Sequence, residues 1–562
     1  MKKHFLFTTL GLGLALNSAF YNPALAQFNV TGTTPAANRI STVRSSSVSA
    51  NFSQPVSVGS TGALSVFSSQ RGGLRTGNSG TITVNSNTIS FAPTYAFRPG
   101  ETVQAVISMA AQSTSGAMLS TPHVFQFTAA ATGGTGFFGG GGDFPVGNQP
   151  YRVAPADVDG DGDLDLLVAN FAGNSVSVRL NNGRGGFSNG ADYPVGNSPY
   201  IVVAADVDGD GDLDFLTPNF NGNSVSLRLN NGSGIFGGGA TIPVGRQPRS
   251  VAMADLDADG DLDLLTANYA DNSVTVSFNV AGTFGGGGDF MVGGQPQSIA
   301  AADVDNDGDL DFIGTNGTSN TVSVRLNNSN FGFFSGGSDV PVGSFPFAVA
   351  MADVDGDGDV DILTANYQST TVSVRLNTGS GTFTGGYEVQ AGSQPRGLTT
   401  ADVDGDGDLD LLVANAGSNS VSMRLNNGSG FFSGGADFPV GSFPGSVVCA
   451  DVDGDSDLDL LVTNIFSNTV SVRLNNGTGP LAAGRPLLQP ALTLAPNPTN
   501  SLVTITGLLP SQRLEVLDAL GRPVAHAQAP LQGPLLLTLP AALPSGLYLV
   551  RAGQQTCRLV VE

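Results

Sequence analysis

Seven stretches of this chain place a carboxylate at every second position. The first is Asp157-Val-Asp-Gly-Asp-Gly-Asp-Leu-Asp165, five acidic side chains in nine residues. Two carboxylates about 5 Å apart repel by on the order of 3 kcal/mol at an effective dielectric near 20. Crowding of this kind calls for a cation between them. Oxygen-only donors suit a hard cation. Donation from every second position suits the irregular, many-oxygen shell of Ca2+ better than the strict octahedron of Mg2+. Asp157, Asp159, Asp161 and Asp165 are the expected side-chain ligands of the first loop. Asp163 stands where a backbone carbonyl usually serves. Gly162 permits the positive φ of a sharp turn.

The pattern returns at Asp206, Asp208, Asp210, Asp212 and Asp214, then at Asp255, Asp257, Asp259, Asp261 and Asp263. A fourth loop offers Asp303, Asp305, Asp307, Asp309 and Asp311, and a fifth Asp353, Asp355, Asp357, Asp359 and Asp361. The sixth has Asp402, Asp404, Asp406, Asp408 and Asp410, and the seventh Asp451, Asp453, Asp455, Asp457 and Asp459. The starts are separated by 49, 49, 48, 50, 49 and 49 residues. A period that regular marks a solenoid, a propeller or an array of repeats. Up to seven Ca2+ are expected, one per unit. The bland alternative for each loop is a solvated acidic turn.

These loops must be positioned by strands. In the first unit, residues 151–156 read as a strand of mainly small residues, 164–170 as an apolar second strand and 175–180 as an alternating third. Asn181-Asn-Gly183 is a hairpin turn of the Asn-Gly kind, and 187–195 the fourth strand. Four antiparallel strands per unit of about 49 residues describe a propeller blade. The units resemble the FG-GAP (VCBS) repeats, best known from the integrin α-chain propeller. The residues that carry this are the Asp-x-Asp-x-Asp-Gly-x-x-Asp loop, the following Leu-Asn-Asn-Gly and the Phe–Gly-Gly–Phe-Pro-Val-Gly run. Two departures are Ser456, which replaces the mid-loop Gly of the seventh unit, and Phe278, read as replacing the strand arginine seen at Arg179, Arg228 and Arg325. The fourth-strand motif occurs once before the first acidic loop, at 137–147, and is missing after the seventh. The N-terminal copy is therefore expected to complete the last blade, giving seven blades within 132–480.

The rest of the chain flanks this ring. Residues 1–26 read as a secretory signal peptide: Lys2 and Lys3, an apolar run from Phe5 to Leu16, and Ala24-Leu-Ala26 before the cut. No segment is apolar and long enough to span a membrane. Residues 27–131 alternate short apolar runs with turn residues, as a β-sandwich does. They resemble bacterial Ig-like domains through Thr34-Pro35, Ala50-Asn-Phe-Ser-Gln-Pro55, Phe91-Ala-Pro93 and Phe125-Gln-Phe-Thr128, a family that mostly serves as spacers. His123 is expected to be structural. Residues 481–491 read as a linker. The stretch 492–562 suggests a small β-sandwich. Its pieces Leu492-Thr-Leu-Ala-Pro-Asn-Pro498, Leu514-Glu-Val-Leu-Asp-Ala-Leu-Gly-Arg-Pro-Val524 and Leu543-Pro-Ser-Gly-Leu-Tyr-Leu-Val-Arg551 resemble the sorting domain of type IX (Por) secretion. That resemblance implies export across the outer membrane through the type IX machinery, to the medium or the cell surface. The fold class is thus all-β: a seven-bladed propeller flanked by an Ig-like β-sandwich and a small C-terminal one.

The formal charge of −23 looks extreme, but five carboxylates in each of seven loops make 35 of the 46 acidic residues. Seven Ca2+ would return +14. No basic patch suits nucleic acid. Cys449 and Cys557 lie far apart, with Cys449 expected to pack as a small hydrophobe and no disulfide expected. A monomer is expected.

Within the propeller there is no His and no Lys, so Ser-His-Asp chemistry is excluded there. General acid–base catalysis calls for a poised His, Lys or perturbed carboxylate. Most of the carboxylates outside the loops (Asp143, Asp192, Asp271, Asp289, Asp339, Asp437 and Glu388) recur at one repeat position, which points to structure. The reading is a secreted or surface calcium-binding recognition or adhesion module for a protein or glycan. The alternative is a secreted, lyase-like polysaccharide-processing enzyme with a calcium-stabilised propeller. In a four-stranded meander the acidic loops and Asn-Asn-Gly turns share one end. The other end collects the residues that vary most between units. Tyr151, Phe171, Tyr200, Phe220, Arg249, Tyr269, Phe347, Tyr367 and Arg396 are its candidate ligand-binding residues; otherwise they cap each blade's core.

Overall fold

A computed structural model describes residues 27–71, 79–131, 133–188, 190–327 and 332–475, and most of the strands between 493 and 561. The proposed signal peptide (1–26) and linker (481–491) lie outside the described residues. The chain divides into two compact units, 1–479 and 480–562.

The larger unit holds seven four-stranded antiparallel sheets in succession, among the described residues. In the first, Pro150–Ala156 pairs with Asp165–Asn170, which pairs with Ser175–Asn181. Every residue of the second strand is buried, because it lies between two neighbours in its own sheet and between two adjacent sheets. The alternating third strand places Val176 and Val178 in the core between sheets. In the first sheet the fourth strand is shorter than the sequence suggests, broken into Phe187–Ser188 and Asp192–Pro194. Gly190 lies at the break, at φ 82°, and a Cβ there would stand 2.2 Å from the Val178 carbonyl oxygen. The same approach recurs at Gly239, Gly337, Gly386 and Gly435.

The ring closes as the strand count requires. Gly139–Pro145 pairs with Thr469–Leu474, with Thr469 opposite Pro145 and Leu474 opposite Gly139. Seven asparagine side chains tie each sheet to the one before it. Asn181 Nδ2 donates to the Val452 carbonyl of the seventh sheet, and Asn230, Asn279, Asn327, Asn377, Asn426 and Asn475 make the corresponding bonds at 2.8–3.0 Å.

One register assignment needs correction. Leu264 lies opposite Ser277, as Leu166 lies opposite Arg179, so Ser277 and not Phe278 takes the strand-arginine position. Phe278 replaces the leucine one place on. In five of the other six units that arginine pairs with the recurring carboxylate of the fourth strand: Arg179 with Asp192, Arg325 with Asp339, Arg375 with Glu388, Arg424 with Asp437 and Arg473 with Asp143, all at 2.9–3.0 Å; in the second unit Thr241 stands in the carboxylate's place. These carboxylates are structural.

The N-terminal domain is a two-sheet sandwich. One sheet runs Val30–Thr34, Val48–Phe52, Thr88–Pro93, Gly80–Asn85, and the other Arg39–Thr42, His123–Ala129, Thr102–Ile107, Leu64–Phe67. Phe52, Phe91, Phe97, Phe125 and Phe127 fill the space between them. The second sheet is buried on its outer face as well: Phe67, Val106 and Val124 join a cluster with Ala258, Leu262 and Leu310 of the propeller. This sheet sits on the acidic-loop end. His123 lies against Gly308 of the fourth loop, and burial lowers its pKa.

In the C-terminal unit two sheets share a core of Val503, Ile505, Leu514, Val516, Leu537, Val550 and Leu559. Cys449 packs within a propeller core cluster, as a small hydrophobe would.

Candidate metal loops and the opposite mouth

Each acidic loop joins the first two strands of its sheet. Its first aspartate, buried in every loop but the fourth, where Asp303 is half-buried, receives backbone amides from within the loop: Asp353 Oδ1 from Gly356 and Oδ2 from Gly358, at 2.8 and 3.0 Å. Those bonds wrap the chain around the carboxylate. Asp157, Asp159 and Asp165 bring one oxygen each within 4.8 Å of one another, as do Asp303, Asp305 and Asp311. In the second, third and fifth loops the set is the first, third and fifth positions: Asp206, Asp208 and Asp210; Asp255, Asp257 and Asp259; Asp353, Asp355 and Asp357.

The donor set fits a hard cation. The Oδ1 atoms of Asp208, Asp303, Asp305 and Asp453 are buried and reached by no hydrogen-bond donor. An orphaned buried carboxylate oxygen is costly unless a cation meets it. Burial pushes Asp303 and Asp402 up to about 7, with neighbouring loop carboxylates adding to the rise.

The ninth position does something further. Asp165 Oδ2 accepts from the Val158 amide at 3.1 Å, and Oδ1 from the Asn181 amide at 2.8 Å. All seven loops repeat this pair of bonds. The ninth aspartate therefore pins the loop to the end of the third strand. Burial raises Asp165 to about 7 and Asp263, Asp311 and Asp410 to about 8, against the pull of those amides. The seventh-position side chains turn away toward the hairpin glycine: a Cβ on Gly183 (φ 71°) would meet Asp163 Oδ2 at 2.5 Å, and Gly232, Gly379 and Gly428 stand likewise against Asp212, Asp359 and Asp408.

The N-terminal domain reaches five of these loops at a repeated place, the sixth position. Val124 N donates to the Gly308 carbonyl, Asn38 Nδ2 to Gly358 and Ser41 Oγ to Gly407, at 2.9, 2.9 and 3.4 Å. Arg98 donates to the Gly162 carbonyl, and Arg44 Nη1 to Ser456 Oγ at 3.0 Å. Arg98 and Arg71 also stand 3.5 and 4.0 Å from Asp157 Oδ2.

At the opposite end the nine residues singled out from the sequence form one connected cluster. Tyr151 stacks on Phe171 at 4.7 Å and meets Tyr200 edge-on at 4.8 Å. Phe220 links Phe171, Tyr200 and Tyr269 at 5.9–6.3 Å, and Tyr367 meets Phe347 at 5.5 Å. Arg249 lies over Tyr200, Tyr269 and Phe347 at 4.6–5.0 Å, and Arg396 over Tyr151 and Phe347 at 4.7 Å. Two contributors were not among the candidate residues named from the sequence. Arg152, one residue inward, lines the same small cavity. Phe443 approaches Arg396 at 5.6 Å from a left-handed backbone (φ 57°). The tell-tale for Arg152 was its position: the other units carry Ile201, Ser250, Ser298, Ala348, Gly397 and Ser446 there.

A bacterial Ig-like domain matches residues 26–129. No protein of curated function matches the chain in sequence. Similar solved structures include a lectin from Agrocybe aegerita that recognises non-reducing terminal N-acetylglucosamine (21% identity, 56% of this chain and 86% of that one, TM-score 0.38). Others are a putative 6-phosphogluconolactonase from Bacteroides fragilis (15%, 69% and 98%, 0.41) and a periplasmic gluconolactonase from Pseudomonas aeruginosa (16%, 52% and 86%, 0.39). No helix among the described residues is long and apolar enough to cross a membrane. FG-GAP-like repeats match at 157–217, 206–266, 255–314, 303–364, 353–413 and 402–462, a span of more than half the chain, and the protein belongs to that family.

Proposed function

We propose that this protein is a secreted or surface-attached recognition module whose propeller is held together by Ca2+. The observation that carries the reading is the division of labour between the two ends of the ring. The acidic-loop end is repetitive and touched by the N-terminal domain at the sixth loop position. The opposite end presents a cluster that differs from unit to unit within a constant frame, as a ligand-binding surface would. Adhesion to a protein or a glycan is the role proposed for it.

FG-GAP-like repeats commonly bind Ca2+. In this chain the first, third and fifth aspartates would hold the ion, with the ninth contributing in the first and fourth loops. Bound Ca2+ would neutralise the mutual repulsion of each loop. The stretch 492–562 is proposed to direct type IX export, and 1–26 to direct entry to the secretory route.

The test is a glycan and protein array probed with the chain in millimolar Ca2+ and again after chelation. Saturable binding to a defined ligand, without turnover, is the expected result. Metal-dependent release of unsaturated sugars from a polysaccharide would replace this reading with the lyase.

A further inference from the structure

The mouth opposite the acidic loops holds three guanidinium groups, from Arg152, Arg249 and Arg396. In a chain of formal charge −23 this concentration of positive charge is unexpected. Among the described residues none of the three pairs with a carboxylate. Arg249 and Arg396 both donate to the Tyr200 hydroxyl oxygen, and both lie against the Phe347 ring. Two like charges are thus held within a few ångströms of each other with no counter-ion. Arg396 is 8% exposed. The Nε of Arg249 and the Oε1 of Gln297 are buried with no hydrogen-bond partner. Burial also lowers the pKa of Arg152.

Burying unpaired charge works against folding. Such an arrangement persists where a ligand, and not the protein's own stability, sets the requirement. A cavity of about 30 Å³ remains here, lined by Arg152, Arg396 and Gln297, with Arg249 beside it on the Tyr200 hydroxyl. It admits a group of a few atoms but not a sugar ring. Guanidinium forks match the planar, two-oxygen geometry of a carboxylate. Around the charged cavity stand the rings of Tyr151, half-buried at the mouth, and Tyr200, buried behind it. Capture of a peptide end characteristically uses nests of backbone amides, whereas the donors here are guanidinium and amide side chains. Aromatic rings beside a buried cationic hole suit a pyranose that carries an acid.

We propose that this mouth binds the carboxylate of a uronic acid residue in an acidic glycan, with Arg396 and Arg152 in the cavity lining facing the carboxylate and Arg249, next to Arg396 on the Tyr200 hydroxyl, adding positive charge. The inference rests on the recognition reading and specifies its ligand class.

The experiment is calorimetric titration of the full, Ca2+-loaded chain with a glucuronate-containing oligosaccharide and with its methyl ester. The acid is expected to bind and the neutral ester to lose at least about tenfold, as a charged hydrogen bond implies. Arg396→Gln and Arg249→Gln should each weaken binding roughly 10- to 100-fold. Their melting temperatures, and that of Arg152→Gln, should stay level or rise, because an uncompensated charge has been removed. A structural plug would instead lose melting temperature in these variants and leave any binding unchanged, and that result overturns the proposal. So does equal binding of acid and ester, or binding of a peptide that is lost on C-terminal amidation. If Arg396→Gln retains the array ligand of the parent chain, recognition stands and this site falls. If the parent chain captures nothing on the array, the recognition reading itself falls.

Discussion

Asp161 and Asp165 lie four residues apart in the same loop and do different work. Asp165 accepts two buried backbone amides, whereas Asp161 is exposed and accepts only the Asp163 amide. Asp165→Ala should therefore destabilise the chain by on the order of 1–3 kcal/mol even after chelation, since buried donors are left unmet. Asp161→Ala should matter in Ca2+ and be near neutral without it. Chemical denaturation with and without chelator separates the two. Ser456 adopts φ 77°, where the other loops have glycine. Its amide still bonds Asp451 Oδ2 at 3.1 Å, and its hydroxyl accepts from Arg44. Ser456→Ala should cost about 1 kcal/mol, the worth of a hydrogen bond. Ser456→Gly should be close to neutral, because relief of the left-handed backbone, about 1–2 kcal/mol, offsets the lost bond. A Ser456→Gly variant as unstable as Ser456→Ala would show that no strain is held there.

At the scale of the element, much was legible. Asp spacing placed each loop between two strands, and alternation marked Ser175–Asn181 as half-buried. The asparagine ties were not recognised, because Asn181 reads naturally as a hairpin residue. The third unit held the clue: Asn279 is retained although the Asn-Asn-Gly turn has become Asn279-Val-Ala-Gly282. A residue kept where its turn is gone has another task, here the 2.9 Å bond to Val207 of the neighbouring sheet. The closing strand was legible by counting motifs, since the one without a loop before it had to pair with the sheet that lacked a fourth member. Deleting 139–145 should expose the edge of Thr469–Leu474. The expected result is a broadened unfolding transition and concentration-dependent association, measured by scanning calorimetry and light scattering. A sharp, unshifted transition would mean the ring does not need this strand.

For the whole molecule, the placement of the N-terminal domain was hidden from the sequence. It approaches the loops largely through glycine carbonyls, which six of the seven units carry and which leave no side-chain signature. Metal is expected to govern stability at this scale. Extracellular sites with Kd about 10⁻⁴–10⁻³ M would each add roughly 0.4–1.4 kcal/mol at millimolar Ca2+, so seven give on the order of 3–10 kcal/mol. Chelation should lower Tm sharply; an indifferent Tm with no bound metal by elemental analysis would leave only acidic turns. The pH dependence should invert between the two states. Without metal, Asp165, Asp263 and Asp410 are raised by burial to about 7–8. The folded state then holds protons that the unfolded state has released, and stability falls as pH rises from about 4 to about 8. With Ca2+ the ligands must be deprotonated, so stability should rise over the same window. Melting curves at pH 5 and pH 8 in each condition decide this.

The strand Gly139–Pro145 is made before any sheet of the ring and used after the last of them. Its partner, Thr469–Leu474, follows more than three hundred residues later. At synthesis rates of about 5–20 residues per second, that is a delay of roughly 15–65 s. Throughout it, this glycine-rich segment has no final place. The first six sheets can form in order as the chain emerges, but the ring locks only at the end. The molecule therefore carries its own timing: premature capture of one short early segment, by a chaperone or by a neighbouring chain, holds open everything made after it.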